Sequence, residues 1–165
     1  MISMKTKIIL ICIVLLSSPA LAQTTFSKCI KNTNNEFPTT AIEMNNGNYL
    51  ISYGSIPPNQ ENFNQQFIVL DTNGLEITTA KIIDLEGSCL ISNLHQVNDS
   101  LILAIGTYGY TGKNLDIWII GMDPLLSTKW EKKFKTNYPF YFFNRSIINS
   151  DNNIVIASTL ANGST

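Results

Sequence analysis

A repeat with a period of 52 residues constrains the fold of this chain more than any other feature of its sequence. The segment NGNYLISYGS (46–55) aligns with NDSLILAIGT (98–107) and with SDNNIVIAST (150–159), and no gap is needed. Gly54 then falls on Gly106, and Asp71 falls on Asp123 at the same displacement of 52 residues. Such self-similarity indicates a chain built from repeated structural units.

Each unit contains up to four predicted β-strands. Short runs rich in β-branched and aromatic residues alternate with Asn, Gly, Asp and Pro, and there is almost no helical periodicity. The predicted strands are 41–44, 48–54, 65–71 and 75–82 in the first unit, 91–97, 101–107, 115–122 and 128–135 in the second, and 145–149 and 153–159 in the third. Four antiparallel strands in roughly 40 to 50 residues form the blade of a β-propeller.

The second and fourth strands of a unit differ in composition. The second strand is nearly all apolar, as in YLISY and LILAI, which predicts an inner strand covered on both faces. The fourth strand, KWEKKFK, alternates and is more polar, as suits an outer edge. The segment TFSKCIKN (25–32) lies two periods before KWEKKFKT (129–136), so we interpret it as a leading outer strand that completes the last blade of a closed ring.

The predicted fold is therefore an all-β, β-propeller-like array of four-stranded antiparallel blades with a period of 52 residues. The divisions are 1–22 for a signal peptide, 23–40 for the leading outer strand and its connection, 41–90 for blade 1, 91–140 for blade 2 and 141–165 for a partial blade 3. About 2.5 blades cannot close a ring, which needs at least about four. The chain is expected to be the N-terminal portion of a longer propeller; the alternative is a short protein that self-associates or forms an open stack of sheets.

The N-terminal segment predicts the cellular location of the protein, and the composition gives its net charge. Lys5 and Lys7, an apolar run at 8–16, and Ala20 and Ala22 predict a secretory signal peptide cleaved after Ala22. The protein is then expected to be secreted, periplasmic or at the cell surface, with no membrane span after cleavage. The mature chain keeps nine basic and twelve acidic residues, a net charge of −3, which makes nucleic acid a poor candidate partner.

The second unit resembles the repeat of secreted β-propellers common in Bacteroidetes-type bacteria. Those repeats have a G-S/T pair, a loop, D-I-W-I-I-K-L-D, a turn, and then W-x-K-x-F. The matching residues are Gly106, Thr107, Asp116, Ile117, Trp118, Ile119, Asp123, Trp130, Lys132 and Phe134. In the first unit Gln66 stands in place of Trp118 and Thr78 in place of Trp130. The motifs are structural, so the resemblance implies a fold and not an activity.

Several short motifs suggest chemistry, but each has a structural explanation. GTYGYTGKN (106–114) lacks the spacing and the following helix of a phosphate-binding loop, so we interpret it as a variable loop. His95, the only histidine, is expected on a strand at or near the surface, without a nucleophile motif. Asp71 and Asp123 are expected to cap turns by accepting backbone N–H bonds.

The sequence therefore predicts no catalytic, cofactor-binding or metal-binding residues. Cys29 and Cys89 remain after cleavage, and a disulfide and two buried thiols both fit. Trp118 and Trp130 are expected either to pack between blades or to stack on sugars. The aromatic run Tyr141, Phe142 and Phe143 is the candidate binding surface.

These observations favour a secreted, non-enzymatic β-propeller segment, a scaffold for binding or adhesion at the cell surface. Its expected partner is a protein or a carbohydrate. The alternative is the N-terminal part of a secreted propeller enzyme, for example one that acts on polysaccharide, whose catalytic residues lie in other blades.

Overall fold

A computed structural model describes residues 35–58, 64–82, 87–109, 115–135, 140–151 and 153–160. Within these residues the protein is all-β: it contains ten strands and no helix, as the sequence predicts. The strands are β1 (Asn35–Glu43), β2 (Tyr49–Ile56), β3 (Asn64–Leu70), β4 (Glu76–Ile82), β5 (Ser88–Asn98), β6 (Leu101–Gly109), β7 (Leu115–Met122), β8 (Thr128–Phe134), β9 (Phe140–Ile148) and β10 (Ile154–Leu160). The signal peptide and leading strand predicted at 1–22 and 25–32 lie outside the described residues.

The strands form three antiparallel sheets in sequence order. Sheet 1 has the order β1-β2-β3-β4, sheet 2 has the order β5-β6-β7-β8, and sheet 3 pairs β9 with β10. The strand β1 begins six residues before the predicted start, because Pro38 obscures its pattern. Proline is tolerated there since β1 is an edge strand and its register shifts between Pro38 and Thr40.

The turns between third and fourth strands repeat in sheets 1 and 2. Asp71 Oδ1 accepts hydrogen bonds from the N–H groups of the second and fourth residues after it, both at 2.8 Å. Asp123 Oδ1 does the same at 3.0 and 2.9 Å, so both aspartates make the predicted turn caps. The residue three positions after each aspartate has a positive φ, which is 79° at Gly74 and 68° at Leu126. Leu126 adopts this unfavourable conformation while its side chain is buried in the core.

The main core lies between sheets 1 and 2. Leu50, Phe67 and Val69 of sheet 1 pack in one cluster with Ile102 and Trp118 of sheet 2. Trp118 is only 3% exposed, so it packs between sheets, as one of its two predicted roles requires. Burying several such side chains, each worth about 1.5–3 kcal/mol, joins the two sheets firmly.

The burial of individual strands matches the predictions from composition. The strands β2 and β6 lie inside their sheets and are covered on both faces along most of their length. The strand β8 is the outer strand of sheet 2, and every one of its residues is exposed. Apolar runs thus mark the covered strands, and alternating charged residues mark the edge.

The repeat is displaced by one residue in β2 relative to β6, which corrects the alignment of Gly54 with Gly106. Gly54 pairs with Gln65 on β3, whereas Gly106 pairs with Trp118 on β7. Trp118 aligns in sequence with Gln66 and not with Gln65, so the two glycines occupy neighbouring positions in their ladders. Because a shift of one residue moves a side chain to the opposite face, Gly54 and Gly106 are not structurally equivalent.

Candidate functional site

The ends of the first strands of all three sheets border one cleft. Its volume is about 450 Å³, and it is lined by Ile42, Glu43 and Asn45 of sheet 1, residues 94–97 of β5 and Ile148 of β9. The lining is brought together because β1 packs on β5 and β5 packs on β9. A cleft of this size is in the range of small-ligand sites, about 300–1,000 Å³.

Hydrogen bonds between sheets fix the rim of the cleft on the side of sheet 1. The backbone N–H of Asn45 donates to Gln96 Oε1 at 2.7 Å, and Asn45 Nδ2 donates to Asp99 Oδ1 at 2.9 Å. Gln96 Nε2 also donates to the carbonyl oxygen of Asn98 at 3.1 Å. The turn after β1 is thereby held against the turn after β5, which makes the rim a defined surface.

His95 forms the other side of the cleft and joins sheet 2 to sheet 3. A hydrogen bond of 2.8 Å connects His95 Nε2 with Ser146 Oγ on β9, and the backbone N–H of Ser146 donates to Asn93 Oδ1 at 3.3 Å. Burial lowers the pKa of His95 below its ordinary value of 6.5, and hydrogen bonding to Ser146 opposes that shift. The imidazole is therefore neutral at pH 7 and partly exposed on β5, in agreement with the predicted position on a strand at or near the surface.

A serine hydroxyl bonded to an imidazole is also the geometry of a nucleophile and its base. Here Ser146 is 8% exposed and does not line the cleft, whereas His95 does. A substrate carbonyl in the cleft would meet the ring and not the hydroxyl. The pair therefore acts as a connection between sheets.

The cleft is negative in character. Glu43 is exposed at its rim, and Asp99 lies behind Asn45. Within the described residues, the Glu43 carboxylate makes no hydrogen bond or ion pair, and no lysine or arginine lines the cleft. The rest of the lining combines the polar Asn45, His95 and Gln96 with four aliphatic residues, and the exposed surface of the cleft is mainly polar.

Among the residues that the sequence singled out, His95 lines the cleft. The backbone of Tyr141, Phe142 and Phe143 belongs to β9, but their side chains are outside the described part of the chain. Most of the glycine loop, residues 110–114, is outside it as well. Cys89 is fully buried, and Cys29 is also not among the described residues. Asp71 and Asp123 lie in their turns, away from the lining of the cleft.

The two tryptophans differ in their surroundings. Trp118 Nε1 donates to Glu131 Oε2 at 3.1 Å, and the Tyr108 ring lies 5.8 Å from the Trp118 ring. Trp130 is 38% exposed, and its ring covers Gly121 on the neighbouring strand, where a Cβ atom would overlap it. An aromatic ring over a glycine is a stabilising cross-strand pair, so Trp130 has a structural role whatever else it contacts.

Sequence reasoning missed the cleft, although a signal was present. Glu43, His95 and Gln96 are polar residues near the ends of first strands, and Glu43 aligns with His95 in the repeat. Polar residues at matching ends of neighbouring strands predict a shared surface when successive sheets stack. The aromatic run at 140–143 is the more conspicuous pattern, because it is the densest in the chain.

Searches for metal sites, membrane-spanning helices and related proteins do not assign a function to the cleft. Among the described residues, no group of three or more His, Cys, Asp and Glu side chains is placed to hold a metal ion. None of these residues forms a helix with the length and apolar character that a membrane crossing requires. No protein-family model matches the chain, and no curated protein or solved structure matches it either.

Proposed function

We propose that the chain is part of a secreted, non-enzymatic β-propeller that binds a protein or carbohydrate partner at the cell surface. The observation that carries this proposal is the convergence of the first strands of three successive sheets on one cleft. In a propeller the blades are arranged radially, so their innermost strands border a common opening where ligands bind. The contacts of β1 with β5 and of β5 with β9 support such a radial order.

The outer face of sheet 3 supports the propeller as well. Ile147 and Val155 pair across β9 and β10, and they are 62% and 52% exposed. Leu103, which aligns with Val155, is only 4% exposed: it pairs with His95 on the face that sheet 3 covers. The proposed propeller places a further sheet on Ile147 and Val155, because an exposed apolar face of a sheet is otherwise an aggregation hazard.

The binding role is tested with residues 23–165 applied to arrays of polysaccharides and of cell-surface proteins. The matched variants are Glu43→Ala in the cleft and Glu76→Ala on the exposed surface of β4. We expect Glu43→Ala, and not Glu76→Ala, to weaken capture of the partner. Equal capture by both variants would remove the cleft from the proposal, and release of reducing sugar from a polysaccharide would favour the enzyme alternative.

Secretion is tested separately. Residues 1–22 are fused to a reporter that folds only after export, and the mature N-terminus is sequenced. We expect Gln23 to be the first residue, and a reporter retained in the cytoplasm would contradict the proposal.

A further inference from the structure

We propose that a cluster of polar side chains on the outer face of sheet 1 binds a metal cation through oxygen ligands, with Ca²⁺ as the expected ion. This cluster, named the Glu36 site, consists of Glu36 of β1, Tyr53 and Ser55 of β2, and Asn64 and Gln66 of β3. Its face is the outer one because Phe67 packs toward sheet 2, so the preceding residue on β3 points the opposite way. The site lies at the other end of β1 from the cleft, and the inference does not rest on the proposed binding role.

The observation that carries the proposal is a buried carboxylate without a partner. Both side-chain oxygens of Glu36 are buried, and neither accepts a hydrogen bond. The residue as a whole is partly exposed, so its charged end points inward, which reverses the usual arrangement of a long charged side chain. Because a buried charge is costly unless it is compensated, this carboxylate requires a positive partner.

Gln66 supplies a second group without a partner in the same site. Its Nε2 is buried and makes no hydrogen bond, while its Oε1 accepts from the Tyr53 hydroxyl at 3.1 Å. If the amide is turned over, the nitrogen donates to the Tyr53 oxygen, and the amide oxygen takes the position that lacks a partner. The unbonded atoms of the site are then all oxygens, which is the donor set of a hard cation.

The charges around Tyr53 make the site negative. The pKa of Tyr53 is raised above its ordinary value, first by burial and then by the charges of Glu36 and Glu76. Both carboxylates therefore act on the same hydroxyl. Among the described residues, neither of them forms an ion pair.

The neighbouring side chains complete a surface of oxygens. Glu36 lies opposite Ser55, which lies opposite Asn64, and both of these neighbours are buried. Calcium bonds carboxylate and amide oxygens at about 2.3–2.6 Å, closer than a hydrogen-bonded ammonium group or water, so a bare ion fits where those do not. A site with one buried carboxylate is expected to be weak, in the range of about 10⁻⁴–10⁻³ M found in extracellular modules.

The experiment measures the thermal midpoint of residues 23–165 by circular dichroism after treatment with EDTA and dialysis. The probes are CaCl₂, MgCl₂ and NaCl at matched ionic strength, and calorimetric titration with CaCl₂ counts the sites. We expect one site and a rise of about 3–10 °C in about 10 mM CaCl₂, because an ion that binds only the folded state stabilises it. An equal rise in NaCl would indicate a general salt effect and would overturn the inference, and an equal rise in MgCl₂ would overturn the assignment of Ca²⁺.

The variant Glu36→Gln removes the buried charge and keeps the shape of the side chain. We expect it to lose the response to CaCl₂ and, without the ion, to unfold at a higher temperature than the unchanged chain. The control Asp151→Asn removes an exposed carboxylate in the turn between β9 and β10 and should keep the full response. A full response in Glu36→Gln would overturn the inference. It would also be overturned if no salt raised the midpoint and Lys81→Met lowered it, because Lys81, opposite Gln66 in the ladder, would then supply the counter-charge.

Discussion

Gln65 joins the first two sheets through one buried side chain, and its replacement by methionine tests how much that connection contributes. The side chain is fully buried on β3. Its Nε2 donates to Ser52 Oγ at 2.7 Å and to the carbonyl oxygen of Tyr53 at 2.8 Å, both within sheet 1. Its Oε1 accepts the backbone N–H of Ile91 on β5 at 2.8 Å, so it also reaches sheet 2.

The change Gln65→Met keeps the length of the side chain and removes these hydrogen bonds. The N–H of Ile91 is then buried without a partner, which costs about 1–3 kcal/mol. The two lost donor bonds add about 0.5–1.5 kcal/mol each, and burial of the apolar methionine offsets part of this. We expect a net loss of about 2–4 kcal/mol in the free energy of unfolding, a large part of the roughly 5–15 kcal/mol typical of a domain.

Urea unfolding of residues 23–165 measures this loss, with tryptophan fluorescence for Trp118 and circular dichroism for the sheets. At about 1–3 kcal/mol per molar urea, the midpoint should fall by roughly 1–2 M. The control is Gln66→Met on the next residue, whose side chain faces the other side and accepts one bond from Tyr53 at 3.1 Å. Equal midpoints for the two variants would refute the argument that Gln65 connects the sheets.

Three further predictions follow from single sites. A Cβ atom on Gly106 would overlap the carbonyl oxygen of Leu90, whereas on Gly54 it would meet only an aromatic side chain that can rotate; Gly106→Ala should therefore lower the thermal midpoint more than Gly54→Ala. Because folding lowers the pKa of His95, its contribution to stability is complete above pH 6.5 and is lost as pH falls below it; His95→Gln should flatten the urea midpoint between about pH 7 and 5. Backbone hydrogen bonds, chiefly from Leu75, lower the pKa of Asp71 below 3.8, so its stabilisation is present above that pH and is lost in acid; Asp71→Ala should remove this acid-dependent part.

The ten strands could be predicted from sequence because each contains β-branched, aromatic or other apolar residues in a short run between turn residues. Gly74 follows Asp71 three residues later, and this spacing alone identifies the turn between β3 and β4. The early start of β1 could not be predicted, because Pro38 interrupts its pattern and only an edge position makes it acceptable. The all-β fold class could therefore be predicted from patterns within short segments of the sequence.

The cleft required information that local patterns do not contain. Ile42, Leu94 and Ile148 lie about fifty residues apart in the chain, and they meet only because successive sheets stack on their first strands. The bond between His95 and Ser146 likewise spans two sheets. Sequence alone places such residues on strands, but the packing of one sheet on the next decides which of them share a surface.

The displacement of β2 by one residue changes which strand carries the aromatic side chain in sheets 1 and 2. In sheet 2, Gly106 on β6 lies opposite Trp118 on β7, so the large side chain comes from the third strand. In sheet 1 the corresponding pair is Tyr53 on β2 and Gln66 on β3, and the aromatic ring comes from the second strand. The Tyr53 hydroxyl donates to Gln66 Oε1, so the two side chains fill the position together. An alignment without gaps compares Gln66 with Trp118 alone, whereas the ladders show that the aromatic side chain of sheet 1 lies on the other strand of the pair. Each of the two sheets therefore places one aromatic side chain at this pair, on β2 in sheet 1 and on β7 in sheet 2.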